Sequence, residues 1–276
     1  MVKISIQGAR GSYHDIVARR QFPGESEIIE CPTYQQVFED VKRGTSDFGV
    51  VAIENFSLGS FLENYDLLVK YDSRIVAEAY LHIVSDLIGW SGVRLADITE
   101  VYSHPQAFTD CRLFLEQHPG MRRIETDDTA GAVRMIREQG MRQAAAVGSK
   151  LAAEIYDMAV LARDIGTNKK NYTRFLIIAQ QAKMADGANK TSLIIRVKNM
   201  SGSLIQCLKS FADEGINLSK LESRPIAGDS GQYYFYLDFE RGLTDPGTER
   251  AMKCLGKNAG MIKILGSYKK GMMLEG

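Results

Sequence analysis

Residues 168 to 175 read Asn168-Lys169-Lys170-Asn171-Tyr172-Thr173-Arg174-Phe175, and the apolar run from Leu176 to Ala179 that follows has the pattern of a strand. A hydroxyl and a guanidinium therefore stand next to each other at a strand entrance. A threonine hydroxyl can give a proton to a departing oxygen, and an arginine can hold a carboxylate through a two-pronged hydrogen bond. The pair suits a small anion that must lose water, and it is the first candidate for the chemistry of this chain.

Near the N-terminus, Gly8, Gly11 and Ser12 precede a helical pattern from about Tyr13, which would set free backbone N–H groups against an anion. The same Gly-x-x-Gly spacing also makes an ordinary tight turn. Asn55 and Ser57, with Gly59-Ser60, offer a second cradle of this kind, whereas Glu54 would repel a dianion and reads as orienting its loop. In Ser103-His104-Pro105-Gln106 the proline denies helical geometry to the histidine, so His104 reads as a helix cap or loop residue. His14, His82 and His118 have no partners in sequence and read as ordinary.

The elements that must position these residues belong to a chain of 276 residues, 45% of them hydrophobic, enough for one medium domain and one small one. Lys+Arg and Asp+Glu both total 34, so no global basic field draws nucleic acid or an anionic membrane. Any anion site must be local. Met1 to Ile6 enter a strand pattern without the features of a secretory signal, and no apolar run reaches the ~18 residues of a membrane span. Cys31, Cys111, Cys207 and Cys254 are scattered, with no Cys-x-x-Cys pair, and read as reduced thiols of a cytoplasmic protein. With no dinucleotide fingerprint, phosphate-binding loop or metal-ligand cluster in the sequence, no cofactor and no metal are expected.

Across the first two thirds, strand-like runs at Lys3 to Gln7, Asp47 to Ile53, Arg74 to Val84, Glu100 to Ser103, Gln143 to Val147 and Arg174 to Ala179 alternate with helical spacings. Examples of the latter are Tyr34-Val37-Phe38-Val41, Phe108-Cys111-Leu115 and Ala132-Val133-Ile136. This alternation predicts open α/β sheets covered by helices, with ligands beyond the carboxyl ends of the strands. The pattern breaks in the polar stretch from Gln180 to Lys190, read as a linker. A β-α-β-β-α-β series follows: Thr191 to Val197, Ser203 to Ala212, Ile216 to Leu221, Gln232 to Phe239, Thr248 to Lys257 and Met261 to Tyr268. Asp229-Ser230-Gly231 supplies its middle turn. A serine cap near Ser203 opens its first helix, and Asp245-Pro246 opens its second.

Asn171-x-Thr173-Arg174-Phe175 resembles the signature of prephenate dehydratases, which convert prephenate to phenylpyruvate. Gly8-Ala9-Arg10-Gly11-Ser12-Tyr13 is similar to the family's N-terminal glycine turn, and Ile53-Glu54-Asn55 with Asn64-Tyr65-Asp66-Leu67-Leu68 to its Glu-Asn loop and following helix. Ser103-His104-Pro105-Gln106-Ala107, Asp128-Thr129-Ala130 and Ala144-Ala145-Ala146-Val147 fall in the family's order. Gly202-Ser203-Leu204 and Glu222-Ser223-Arg224-Pro225 resemble the phenylalanine-sensing ACT module of the same enzymes.

The resemblance implies a two-lobed α/β catalytic domain at residues 1–181, similar to periplasmic binding proteins, with lobe 1 at about 1–76 and 166–181 and lobe 2 at about 77–165. A linker at 182–190 and an ACT domain at 191–276 complete it, and Thr173 falls at the hinge. With that reaction in view, the residue chemistry makes Thr173 the expected proton donor and Arg174 the expected holder of a substrate carboxylate, while the resemblance has Phe175 pack beside the ring unless it is an ordinary core residue. Asn171, Ser12, Asn55, Ser57, Ser103 and Gln106 become substrate contacts. Phenylalanine would sit between paired modules, Asn217 and Leu218 facing Gly202, Ser203 and Leu204 of the partner subunit, with Glu222, Ser223 and Arg224 completing the site. A homodimer or homotetramer follows, with no nucleic-acid or membrane partner. The chain departs from the family at Phe56, where a Ser or Thr is usual, at Ala9 in place of proline, and near Ser85, where a histidine is usual. Dehydration of arogenate, the amino analogue, and a non-catalytic amino-acid sensor are the alternatives.

Overall fold

The computed structural model describes residues 1–181, 186–226, 228 and 231–276. The chain begins with β1 (Val2–Gln7), α1 (Tyr13–Gln21), β2 (Ser26–Cys31), α2 (Tyr34–Arg43), β3 (Phe48–Asn55), β4 (Gly59–Ser60), α3 (Leu62–Tyr71) and β5 (Arg74–His82). It continues through β6 (Asp86–Gly89), β7 (Glu100–Ser103), α4 (Pro105–Asp110), α5 (Arg112–Glu116), β8 (Arg122–Glu125), α6 (Thr129–Glu138), β9 (Ala144–Gly148), α7 (Lys150–Ile155) and β10 (Ala159–Ala162). After β11 (Tyr172–Ala179) come β12 (Lys190–Val197), α8 (Ser203–Ala212), β13 (Leu218–Pro225), β14 (Tyr233–Phe239), α9 (Pro246–Asn258), β15 (Ala259–Tyr268) and β16 (Met273–Leu274).

Three sheets result. The first has the order β16-β5-β11-β3-β1-β2, with β4 folded back on β3, and the second has the order β10-β6-β9-β7-β8. β11 is made only after the whole second sheet, yet it takes a central place between β5 and β3. Seven of its eight residues are buried, which is why it reads as a continuous apolar run rather than an alternating one. In the second sheet, Leu87, Val101, Ala145 and Val147 pack on Phe108, Cys111 and Leu115, while Ile88, Ala144 and Ala146 pack on Val133 and Ile136. Alternate residues of β9 thus face helices on opposite sides, as the α/β alternation requires.

The third sheet is antiparallel, β13-β14-β12-β15, and its strands and helices follow the β-α-β-β-α-β order. Leu193, Ile195, Leu237 and Phe239 form its core with Cys207 and Phe211 of α8 and Ala251 and Leu255 of α9, so both helices cover one face. Asp245 caps α9 by accepting from Gly247 and Thr248 N–H, with Pro246 at the first helical position. No serine caps α8. Its cap is Gly202, at φ 83°, with no side-chain hydrogen bond; the left-handed backbone there suits a residue without Cβ. Asp229 and Ser230 of the expected turn, and residues 182–185 of the expected linker, lie outside the described residues.

By proximity the chain forms two compact units, one of Met1–Leu67, Ala79–Phe175 and Met273–Gly276, the other of Leu68–Glu78 and Leu176–Met272. Within the first unit the two chain crossings between its sheets run side by side: Ile83 N–H donates to Asn171 C=O, and Ile165 N–H to Ser85 C=O.

Candidate active site

A cavity of about 510 Å³ lies in the first unit, within the range of small-molecule sites. β11 contributes Thr173 and Phe175, β3 contributes Ala52 and Asn55, and the start of α1 contributes Ser12, Tyr13 and His14. From the second sheet's helices come His104, Gln106 and Asp110, with Asp127, Asp128 and Thr129 at the start of α6. Two longer helices, α1 and α6, therefore point their N-terminal ends into it, where the helix dipole favours an anion. Among the described lining residues there is no lysine or arginine.

Asn55 organises the centre. Its Oδ1 accepts from the N–H groups of Ser57 and Leu58, both at 2.9 Å. A backbone N–H can only donate, so this end of the amide must be the oxygen. Asn55 Nδ2 consequently donates to Asn171 Oδ1 at 2.8 Å and to Thr173 Oγ1 at 2.9 Å. Asn171 Nδ2 in turn donates to Asp110 Oδ2 at 3.0 Å. Thr173 Oγ1 is therefore an acceptor within the protein, and its own proton is left to give. Thr173 is 5% exposed, so the bond from Asn55 is shielded from competing water.

The two carboxyl environments differ. Burial raises the Asp110 pKa, and the hydrogen bond from Asn171 offsets this only in part. Asp128 is a helix cap, its Oδ1 accepting from Gly131 N–H at 2.7 Å. His104 caps α4, its Nδ1 accepting from Gln106 N–H at 3.2 Å, so any ring proton sits on Nε2. Burial lowers its pKa, against the raising influence of Asp128, Asp127 and Glu125.

Several expectations are corrected by this geometry. Arg174 does not line the cavity: it points off the opposite face of β11 from Thr173 and Phe175, is 3% exposed, and lies 3.9 Å from Glu54. Neighbours on a strand alternate faces, so adjacency in sequence separated the hydroxyl from the guanidinium. Ser103 is fully buried with its hydroxyl donating to Val147 C=O at 2.8 Å, and Ser57 is exposed with its hydroxyl accepting from Asn168 Nδ2; neither lines the cavity. Asn171 acts behind Asn55 rather than in the lining. The glycine turn does not present free N–H groups, because those of Gly8, Gly11 and Ser12 are taken by Cys31 C=O, Asp15 Oδ2 and Ala9 C=O. The Ser57 and Gly59-Ser60 cradle is likewise closed, by Asn55 Oδ1 and by the pairing of β4 with β3. Phe56 neither fills the cavity nor enters the core: it is 54% exposed, against the rings of Tyr80 and Tyr172. Ser12, Asn55, Gln106, Thr173 and Phe175 are brought together in the lining.

Residues 4–183 match the model of the prephenate dehydratase family. The chain belongs to that family. An Arabidopsis thaliana relative named arogenate dehydratase/prephenate dehydratase 2, chloroplastic, is 37% identical over 97% of this chain and 72% of its own length. The crystal structure of a prephenate dehydratase from Arthrobacter aurescens in complex with L-Phe superposes with a TM-score of 0.87 at 30% identity, covering 98% of this chain and 90% of that one. A third relative, GqqA, described as a novel type of quorum-quenching acylase, has a TM-score of 0.89 at 31% identity, covering 97% and 98%.

For a prephenate dehydratase, the sequence reading did not single out Asp110 or His14, both of which line the cavity. Asp110 follows the Ser103-to-Ala107 loop by three residues, at the C-terminal end of α4, where nothing in the pattern distinguishes it from a solvated helix residue. His14 was read as ordinary because no second titratable group stands at catalytic spacing. Its neighbours, Tyr34 and Phe175, come from distant parts of the chain.

Proposed function

We propose that this chain is a prephenate dehydratase that uses Thr173 as the proton donor. Prephenate carries two carboxylates and a ring hydroxyl para to its side chain. When the ring carboxylate leaves as carbon dioxide, its bonding pair enters the ring, the C–O bond on the far side breaks, and the departing oxygen takes a proton to become water. The ring becomes aromatic, so the drive lies in the substrate and the protein need only hold it and assist the hydroxyl. The single observation that carries the reading is that Asn55 Nδ2 donates to Thr173 Oγ1, which leaves the proton of this cavity-lining threonine free to be given. The same orientation disfavours an acylase: a nucleophilic threonine needs a base to accept its proton, and its protein partner here is a donor.

The end of α1 supports binding of a carboxylate, in place of the guanidinium first expected, whereas the end of α6 is already capped by Asp128. The reading places the catalytic domain at 1–181, the linker at 182–190 and a phenylalanine-binding ACT domain at 191–276, supported by the β-α-β-β-α-β order and by the relative that holds L-Phe. Gly202, Ser203 and Leu204 at the start of α8 and Asn217, Leu218, Glu222, Ser223 and Arg224 along β13 are its proposed ligand residues, in a homodimer or homotetramer. Four free thiols fit a cytoplasmic location.

The test is formation of phenylpyruvate from prephenate by the full chain, with arogenate assayed beside it. Thr173→Val, which keeps the volume and removes the proton, is expected to lower kcat by ~10²–10⁴. A variant that turns prephenate over at the wild-type rate removes Thr173 from the mechanism.

A further inference from the structure

His14 is the second residue of α1, 8% exposed, and it lines the cavity. Its ring meets Phe175 edge to face at 5.1 Å and Tyr34 at 5.5 Å. Its Nε2 is buried and has no hydrogen-bond partner. A buried polar atom without a partner weakens a fold, and an apolar ring of the same shape would not carry that cost. A neutral imidazole carries one N–H, which a carbonyl oxygen accepts. The site around this ring is unfinished in the protein alone.

Thr173 and Phe175 leave the same face of β11 two residues apart, about 7 Å along the strand. His14 lines the same cavity with its ring against that of Phe175. A substrate with its ring hydroxyl at Thr173 and its para side chain beside Phe175 would bring that side chain to the imidazole. We propose that His14 determines substrate specificity by donating its ring N–H to the carbonyl oxygen of the 2-oxo acid side chain. This rests on the dehydratase reading and adds the group that recognises the end of the substrate remote from the chemistry. Burial holds the His14 pKa near 3, so the imidazole stays uncharged and suits a neutral acceptor.

The experiment compares wild type, His14→Phe and His14→Gln on prephenate and on arogenate, with melting curves for each. His14→Phe keeps a packed ring and is expected to raise KM for prephenate about three- to tenfold at nearly unchanged kcat. It should affect arogenate less and melt no lower than wild type. His14→Gln, which restores a donor, should recover part of the KM and serves if His14→Phe does not fold. An unchanged KM for prephenate in a folded variant, or a fall in kcat alone, overturns the assignment. A wild-type chain inert toward prephenate overturns the dehydratase reading, and this one with it.

Discussion

Two buried polar networks in this molecule have opposite designs. In the second unit, Lys190 Nζ meets both carboxylate oxygens of Glu78, at 2.9 and 2.8 Å, and Gly271 N–H donates to the same group at 3.1 Å. The two side chains are 2% and 0% exposed, so the pair is shut off from solvent. In the first unit the line Asp110, Asn171, Asn55, Thr173 is also joined by hydrogen bonds, but it ends on a hydroxyl that lines a cavity and keeps its own proton to give. The closed network can only hold the fold. The open one can act on something that arrives.

Breaking the closed network should cost stability and leave chemistry alone. Lys190→Met strands a buried carboxylate and is expected to lower the unfolding free energy by about 3–5 kcal/mol in denaturant titrations, with kcat unchanged at low temperature. Breaking the open network should reach the chemistry. Asn55→Asp keeps acceptors for Ser57 and Leu58 N–H but takes the Thr173 proton instead of supplying one, so kcat should fall by ~10² or more when measured at temperatures where the variant is folded. A normal rate in Asn55→Asp would dissolve the distinction between the two networks.

Smaller effects sharpen it. The Asp110 pKa is raised in the folded protein, so any stability it contributes is full below the ordinary carboxyl range and is lost as pH rises through the folded value. Over that rise its charge joins the carboxyl groups of Asp127 and Asp128 in the lining. KM for a dianion should therefore climb with pH on this limb, and Asp110→Asn, which can still accept from Asn171, should flatten it. Least of all, Arg174→Met should leave KM for prephenate within about twofold while lowering the melting temperature, since the guanidinium is buried away from the cavity. A large KM effect there would return Arg174 to the substrate.

The architecture was legible in the sequence because periodicity reports local geometry. The buried run of β11, the helical spacing of Ala132, Val133 and Ile136, and the cap-plus-proline at Asp245-Pro246 each have a physical cause within a few residues. Short, mostly exposed strands such as β8 left too little pattern to read. Thr173 was legible as a candidate, but the direction of its proton depends on Asn55, 118 positions away. Side chains on adjacent strand residues diverge, which a linear motif conceals, so Arg174 was drawn into the site on paper and out of it in space.

β11 carries Thr173 near its beginning, and the second unit takes over at Leu176 of the same strand, with no loop between. An extended strand has almost no spare length, so a pull on Ala179 is felt six residues upstream as a displacement rather than absorbed as slack. The donor hydroxyl is thus tethered on a taut line to whatever moves the rest of the strand.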